Sequence, residues 1–493
     1  MILRGDKRQL IKPMQFYVDK EIFLSGAERI ISVMAQARIV SLDVGSEETK
    51  ICYSVCYNIV YRNANDILSH TETQDKSTSI KIAEAHAKNY VDLNAQVIAV
   101  EYVGSTDLKI RTEIELRGFV IIDHKLELPE ITNDVYTKNE SYIIERVEPI
   151  KESEIVASGA FTVKENINKI LSYDTQIQIS KTQASTEICE ISGECFTYII
   201  YLSNGNINSR CFTIPFTTEI LASNMKENTS AYCNAIANST VITLDNESSD
   251  ATSNVNIEIV VLVKGIGIQK DNVEFCCDAY SSTDELEIKY NTSRITENIC
   301  LTGASEKIYS MIRLEKEHSR LRSVLAICPP MVGAIRISNE NGLAVEGIIS
   351  MLIICLDEND EITTELAEVP YNFVVDKDFP IANILTASTL VNSIVAKVRH
   401  NDEIEITGEL CIDVHASYER TIEHISSISK IRDRSETEYA ISLYLVRKGE
   451  SLWDVAKALH TDETTLLDLN SDIKLPLNGG EEILLYRELN TNT

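Results

Sequence analysis

"LKIRTEIELRGFVI", residues 108–121, sets Leu108, Ile110, Ile114 and Leu116 between Lys109, Arg111, Glu113, Glu115 and Arg117. Successive side chains of an extended strand point to opposite faces, so this alternation predicts a strand with one face buried and one in water. Two later stretches answer it, "VNIEIVVLVKGIGI" at 255–268 and "IEITGELCIDV" at 404–414. The first of these is apolar at nearly every position, which predicts a strand covered on both faces.

Working outward, the neighbourhood of each stretch also recurs. "YNIVYRNANDI" (57–67), "TYIIYLSNGNI" (197–207) and "MLIICLDENDEI" (351–362) are strand-like runs broken by Asn, Asp or Gly. Asn204-Gly205 tolerates positive φ and is a strong hairpin signal, so all three predict β-hairpins. "SGA", "SGA" and "TGA" recur around Gly26, Gly159 and Gly303, and a tyrosine tag recurs at Tyr136, Tyr280 and Tyr418. Tyr136 to Gly159 and Tyr280 to Gly303 both span 23 residues, which reads as one repeated bridging segment. The tyrosines are read as packing groups rather than ligand contacts.

Many short alternating strands need a second sheet over their buried face, so each unit is expected to be a β-sandwich. The expected units are residues 1–145, 146–290 and 291–430, followed by a small module at 440–490. "DNESSDATSN" (245–254) reads as a loop tip, and "EKIYSMIRLEKEHSRLRSV" (306–324) as either a helix or a long strand connection. The polar segment "SSISKIRDRSETEY" (426–439) reads as a linker, which would let the last module fold independently.

Composition narrows the function. The chain has 493 residues, 44% apolar and 25% charged, which is the make-up of a folded protein of about three or four domains. Its 46 basic against 75 acidic residues leave a net charge of -29, a surface that repels phosphate backbones and anionic lipid heads. Nucleic-acid binding and direct membrane insertion are therefore not expected. The run after Arg4, Lys7 and Arg8 is broken by Lys12, Pro13 and Asp19, so no export leader is expected, and a cytoplasmic protein is. Twelve cysteines, with Cys56, Cys195, Cys355 and Cys411 inside apolar runs, read as reduced packing groups. Eight scattered histidines with no metal or base-and-nucleophile spacing predict neither an enzyme nor a metal or cofactor site. "KGIGIQK" (264–270) reads as a Gly-x-Gly inside a strand rather than a phosphate loop.

The end of the chain carries the clearest motif. In "YLVRKGESLWDVAKALHTDETTLLDLNSDIKLPLNGGEEILLY" (444–486), Tyr444 and Val446 mark a strand and Gly449 a turn. Ser451 is an N-cap, and Leu452, Val455, Ala456 and Leu459 give one helical face. Leu466, Leu467 and Leu469 mark a second helix ended by Asn470, and Ile483 with Leu485 a closing strand. This βααβ pattern resembles a LysM domain. Trp453, the only tryptophan, is read as a core anchor. The three repeats, with Pro215-Phe216 and Pro370-Tyr371 after their hairpins and "TSIKI" (78–82) in that place in the first, resemble the SPOCS domains of clostridial spore-coat proteins.

SPOCS repeats followed by a LysM domain are the architecture of SipL-type coat morphogenetic proteins. The resemblance implies a mother-cell scaffold at the forespore surface and in the spore coat. Its LysM domain would dock the sporulation morphogenetic ATPase of the coat basement layer, and its repeats would hold other coat proteins. The binding rim so implied is Gly449, Glu450, Ser451, Leu452, Asn470, Ser471, Asp472 and Ile473. The alternative is a wall-associated protein that binds peptidoglycan glycan through the same rim.

Overall fold

The computed structural model describes residues 2–486 apart from 46–47, 65, 83–88, 132–133, 224, 227–228, 246–251, 314–319, 334–335, 339–342, 377–382, 401 and 435–440. Its first module runs β1 (Ile2–Phe23), β2 (Arg29–Val44), β3 (Thr49–Arg62), β4 (Ile67–Ile80), β5 (Tyr90–Val103) and β6 (Asp107–Glu127). These form two antiparallel three-stranded sheets, ordered β1-β6-β5 and β2-β3-β4. The second module repeats that plan with β7 (Val135–Val163), β8 (Ile167–Ser185), β9 (Ile188–Ser203), β10 (Asn206–Leu221), β11 (Ser230–Asp245) and β12 (Ser253–Ser281). The third uses β13 (Asp284–Arg313), the pieces β14 (Leu321–Ile327), β15 (Met331–Val332) and β16 (Arg336–Ser338), then β17 (Leu343–Asp357), β18 (Ile362–Asp376), β19 (Asn383–Arg399) and β20 (Glu403–Asp433). Each module is a sandwich, because one apolar cluster joins the facing sides of both its sheets.

The alternation at 108–121 does what its period demands. Leu108, Ile110, Ile114 and Leu116 are buried in the first core, while Lys109 and Arg111 reach out to Glu21 and Asp19. In the second copy the alternation persists as far as Val263, with Val255, Ile257, Ile259, Val261 and Val263 buried and Glu258 exposed. Both faces are covered only from Gly265 to Ile268, so the double coverage inferred for the whole stretch holds for its last four residues alone. There a Cβ on Gly265 would collide with the Tyr232 carbonyl oxygen and one on Gly267 with the Met225 side chain, which is why the Gly-x-Gly is a packing device.

Bulges fix the true register of the repeat. They fall at Val97/Ala99, Ala237/Ser239 and Val391/Ser393, that is at offsets of 140 and then 154 residues. The three hairpins obey the same spacing and close at Arg62↔Ile67, Ser203↔Asn206 and Leu356↔Ile362. The tripeptides do not. Gly26 lies in the turn after β1 with φ +71°, whereas Gly159 lies within β7. Tyr136 and Tyr280 are not copies of each other but cross-strand partners on β7 and β12. Pro215 and Pro370 lie on β10 and β18, outer strands where a missing N–H is tolerated, and the register places Asp75, not "TSIKI", opposite them in the first module.

Three strands ends run past the sandwiches as two-stranded ribbons. The start of β1 pairs with the end of β6, β7 from Val135 with β12 to Ser281, and β13 from Asp284 with β20 to Asp433. A lone two-stranded ribbon is marginal in water, and these three share apolar contacts instead. Leu126, Ile144, Phe275, Ile295 and Ile422 form one such cluster, with a residue from every module. Residues 145 and 290, where the sequence units were divided, lie within β7 and β13. The linker reading at 426–439 is corrected: Ser426 to Asp433 are strand, with Ile425 and Ile428 in a shared apolar cluster, and 435–440 lie outside the described residues. Within 306–324, Glu306 to Arg313 and Leu321 to Val324 are strand and 314–319 lie outside the described residues, as do 246–251 of the expected loop tip.

The described cysteines are free, with Cys195, Cys355 and Cys411 buried and Cys56 half-buried. Among the described residues no helix is long and apolar enough to cross a membrane.

Candidate functional site

The chain ends in β21 (Ile441–Leu445), α1 (Leu452–Leu459), α2 (Glu463–Leu469) and β22 (Glu482–Tyr486), with β21 and β22 antiparallel. Helix α1 begins where the sequence says it should. The Ser451 hydroxyl accepts from the Asp454 N–H, and the Asp454 carboxylate accepts from the Ser451 N–H at 2.8 Å, a reciprocal capping box. Asp462 caps α2 by accepting from the Thr465 N–H at 2.7 Å and hydroxyl at 2.6 Å. Leu452, Val455, Ala456, Leu466, Ile483 and Leu485 are buried together, and Val446, just past the end of β21, joins them.

Two loops border the candidate rim, 446–451 and 470–481. They are tied by backbone bonds, Val446 N–H to the Glu481 carbonyl at 2.9 Å and Gly480 N–H to the Val446 carbonyl at 2.8 Å. A Cβ on Gly479, whose φ is +93°, would lie 2.9 Å from the Lys448 Cα, so the loops touch there. Of the eight rim residues, five have structural work. Asn470 donates to the Leu466 and Leu484 carbonyls at 2.8 and 2.7 Å and accepts from the Leu484 N–H at 2.8 Å. It thereby clamps the end of α2 to β22. Glu450 accepts from the Tyr444 hydroxyl at 3.0 Å and the Arg447 N–H at 2.8 Å, Ser451 is a cap, Leu452 is buried, and Ile473 is half-buried beside the same core. Gly449, with φ +92°, and the side chains of Ser471 and Asp472 are exposed and open to a partner.

Residues 444–477 match the LysM domain family. No curated protein and no solved structure matches the chain. The LysM domain has the two helices and two strands its residues called for, and no group of three or more His, Cys, Asp or Glu among the described residues is placed to hold a metal ion.

The LysM domain is seated on the body, a contact that sequence reading missed. The Trp453 indole N–H donates to Asp278 Oδ2 at 2.8 Å, and Lys457, one helical turn on, donates to Asp278 Oδ1 at 2.6 Å. The Trp453 ring lies edge-on to Tyr280 at 4.8 Å, Tyr280 stacks on Tyr136 at 5.1 Å, and the Tyr280 hydroxyl donates to the Thr461 carbonyl at 2.7 Å. From the end of β20, Arg434 reaches His460 at 2.6 Å. Trp453 is therefore an anchor between the LysM domain and the β7/β12 ribbon rather than of the LysM core alone. Burial works to raise the Asp278 pKa, but the Lys457 ammonium and the indole N–H prevail and hold the carboxyl below its usual range. Burial chiefly drives the Tyr280 phenol upward, and nearby carboxylates add to it. One signal was available: a tryptophan buried against a neighbour needs an acceptor for its N–H, and "CDAYS" offers one beside a tyrosine.

Proposed function

We propose that the protein is a non-enzymatic scaffold whose three β-modules hold the LysM domain as a fixed recognition head. The observation that carries this reading is the seat itself. Trp453 and Lys457 are spent on Asp278 and Tyr280, while the exposed rim at Gly449, Ser471 and Asp472 is left for a partner. The resemblance of the repeats and their order to SPOCS–LysM proteins supports the finer reading. In it the head docks the sporulation morphogenetic ATPase of the coat basement layer, the modules hold other coat proteins, and the whole acts in the mother-cell cytoplasm at the forespore surface. Nine acidic against five basic residues from 440 to 493 favour a partner with a basic patch.

The family match at 444–477 favours a second reading, recognition of the glycan strands of peptidoglycan. Charge separates the two, because such a glycan offers hydroxyl and amide groups where the protein partner offers cations. The test is to measure binding of the purified full chain to the ATPase and to peptidoglycan sacculi, with Asp472→Lys as the variant. Glu450 is unsuitable, since its carboxylate holds the turn before α1. The scaffold reading expects ATPase binding weakened about tenfold by the reversal, in line with loss of one favourable charge pair. Sacculus binding that the variant leaves intact, with no ATPase binding, supports the second reading instead. Binding to neither overturns both.

A further inference from the structure

We infer that the cleft between the first and second modules is a ligand site, separate from the LysM domain, for a neutral polyhydroxylated molecule the size of a short oligosaccharide. The cleft exists because one side chain is short. Where the second module meets the third, Tyr198 of β9 crosses the gap and its hydroxyl donates to the Val391 carbonyl of β19 at 2.5 Å. The 140-residue register puts Asn58 of β3 at the matching place in the first module, facing Ala237 and Asn238 of β11, which match Val391 and Asn392. Asn58 does not cross; its carboxamide oxygen accepts from Thr71 of the adjoining strand at 2.9 Å. What remains is a cleft of about 980 Å³ walled by strands of both modules. That volume is at the upper end of small-molecule sites.

The lining selects a class of ligand. On a chain of net charge -29 the cleft is balanced, its four ionisable cations and carboxylates being Arg38, Lys264, Glu152 and Asp174. Three of these are held by protein partners. Arg38 donates to the Asn238 carbonyl at 2.5 Å, Lys264 pairs with Asp92 at 2.7 Å, and Asp174 accepts from Gln36 and, at 3.1 Å, from Gln176. An ion would find little uncompensated charge there. The carboxamides of Asn94 and Asn234 line the same space and form no hydrogen bond with a described residue. A carboxamide donates and accepts at once, which suits sugar hydroxyls and acetamido groups. Tyr173 lies at the lip, 40% exposed, its hydroxyl fixed on the Thr240 carbonyl at 3.1 Å, so its ring offers a held apolar face to a sugar ring.

The test is calorimetric titration of the full chain with chitotetraose and, separately, with maltotetraose, following Trp453 emission in parallel. One of the two is expected to bind at one site per chain without moving Trp453 emission, because the only tryptophan sits in the LysM domain. Asn58→Tyr, which borrows the plug of the neighbouring junction, should keep the wild-type melting temperature and abolish the binding. Asn94→Ala with Asn234→Ala, which empties rather than fills the cleft, should weaken it about tenfold, the loss of two net hydrogen bonds, and gives a second answer should the tyrosine variant misfold. No heat with either sugar, binding that survives both sets of substitutions, or binding that shifts Trp453 emission and so belongs to the LysM domain would each overturn the inference.

Discussion

Asp278 shows how one side chain can join two parts of a chain. Its two oxygens accept from an indole and an ammonium on successive turns of α1, and charge-assisted bonds of this kind are stronger than neutral ones. Asp278→Ala should cost the LysM domain about 1–3 kcal/mol, the penalty of leaving a half-buried donor pair unmatched. Denaturant unfolding followed by Trp453 emission measures it, and an unchanged midpoint would mean the seat carries no energy. Asn470 is the matching device inside the domain. Asn470→Ala removes two hydrogen bonds to β22 and one to the last turn of α2 and should lower stability by about 2–4 kcal/mol, a large share of what so small a domain has. Ser471→Ala, one position on and exposed, should leave it within about 0.5 kcal/mol of wild type. The sequence marked Asn470 as a helix end and as a rim residue; its clamp on β22 depends on a fold contact that spacing alone does not reveal.

At the scale of elements, the helices of the LysM domain were the most legible part, because caps and apolar faces are local patterns. Their caps also make them sensitive to acid. Asp454 and Asp462 are held below the usual carboxyl range by the Ser451 and Thr465 groups they accept from, and Asp278 is lowered as well. A depressed folded pKa gives stability that is present above the unfolded value of 3.8 and is lost as pH falls through the folded value. The LysM melting temperature should therefore hold steady from about pH 7 to pH 5 and fall between about pH 4 and pH 2. Equal melting at both ends would contradict the cap geometry. Strands were legible by period and hairpins by Asn204-Gly205, whose residues take φ +50° and +79°. The ribbons were not, because a two-stranded ribbon wet on one side has the same polar look as a linker, and only the partner strand tells Ser426–Asp433 apart from a tether. The tripeptide repeats misled for a related reason: short words recur by composition, whereas bulges mark true structural equivalence.

Across the whole molecule the three modules close around shared apolar groups. Val60, Ile200 and Ile354 occupy matching places on β3, β9 and β17, are each 0% exposed, and belong to one cluster. Ile200→Ala should cost about 2–5 kcal/mol and should lower the unfolding midpoint of the modules together, since the void opens between all of them. A second junction brings Phe119, Tyr232 and His415 together, one from each module, with the fully buried imidazole 5.4 Å from the phenyl and 4.8 Å from the phenol ring. None of this was visible in the sequence, where a strand's outer face reads as solvent-facing until the neighbouring module covers it. The central claim is that the LysM domain is a head fixed to this body through Trp453, and time-resolved fluorescence anisotropy of Trp453 in the full chain tests it most directly. A single slow rotational correlation time, that of the whole 493-residue body, is expected, with a fast component appearing only in Asp278→Ala with Tyr280→Ala. A fast component of a small tethered domain in the wild-type chain would contradict the account.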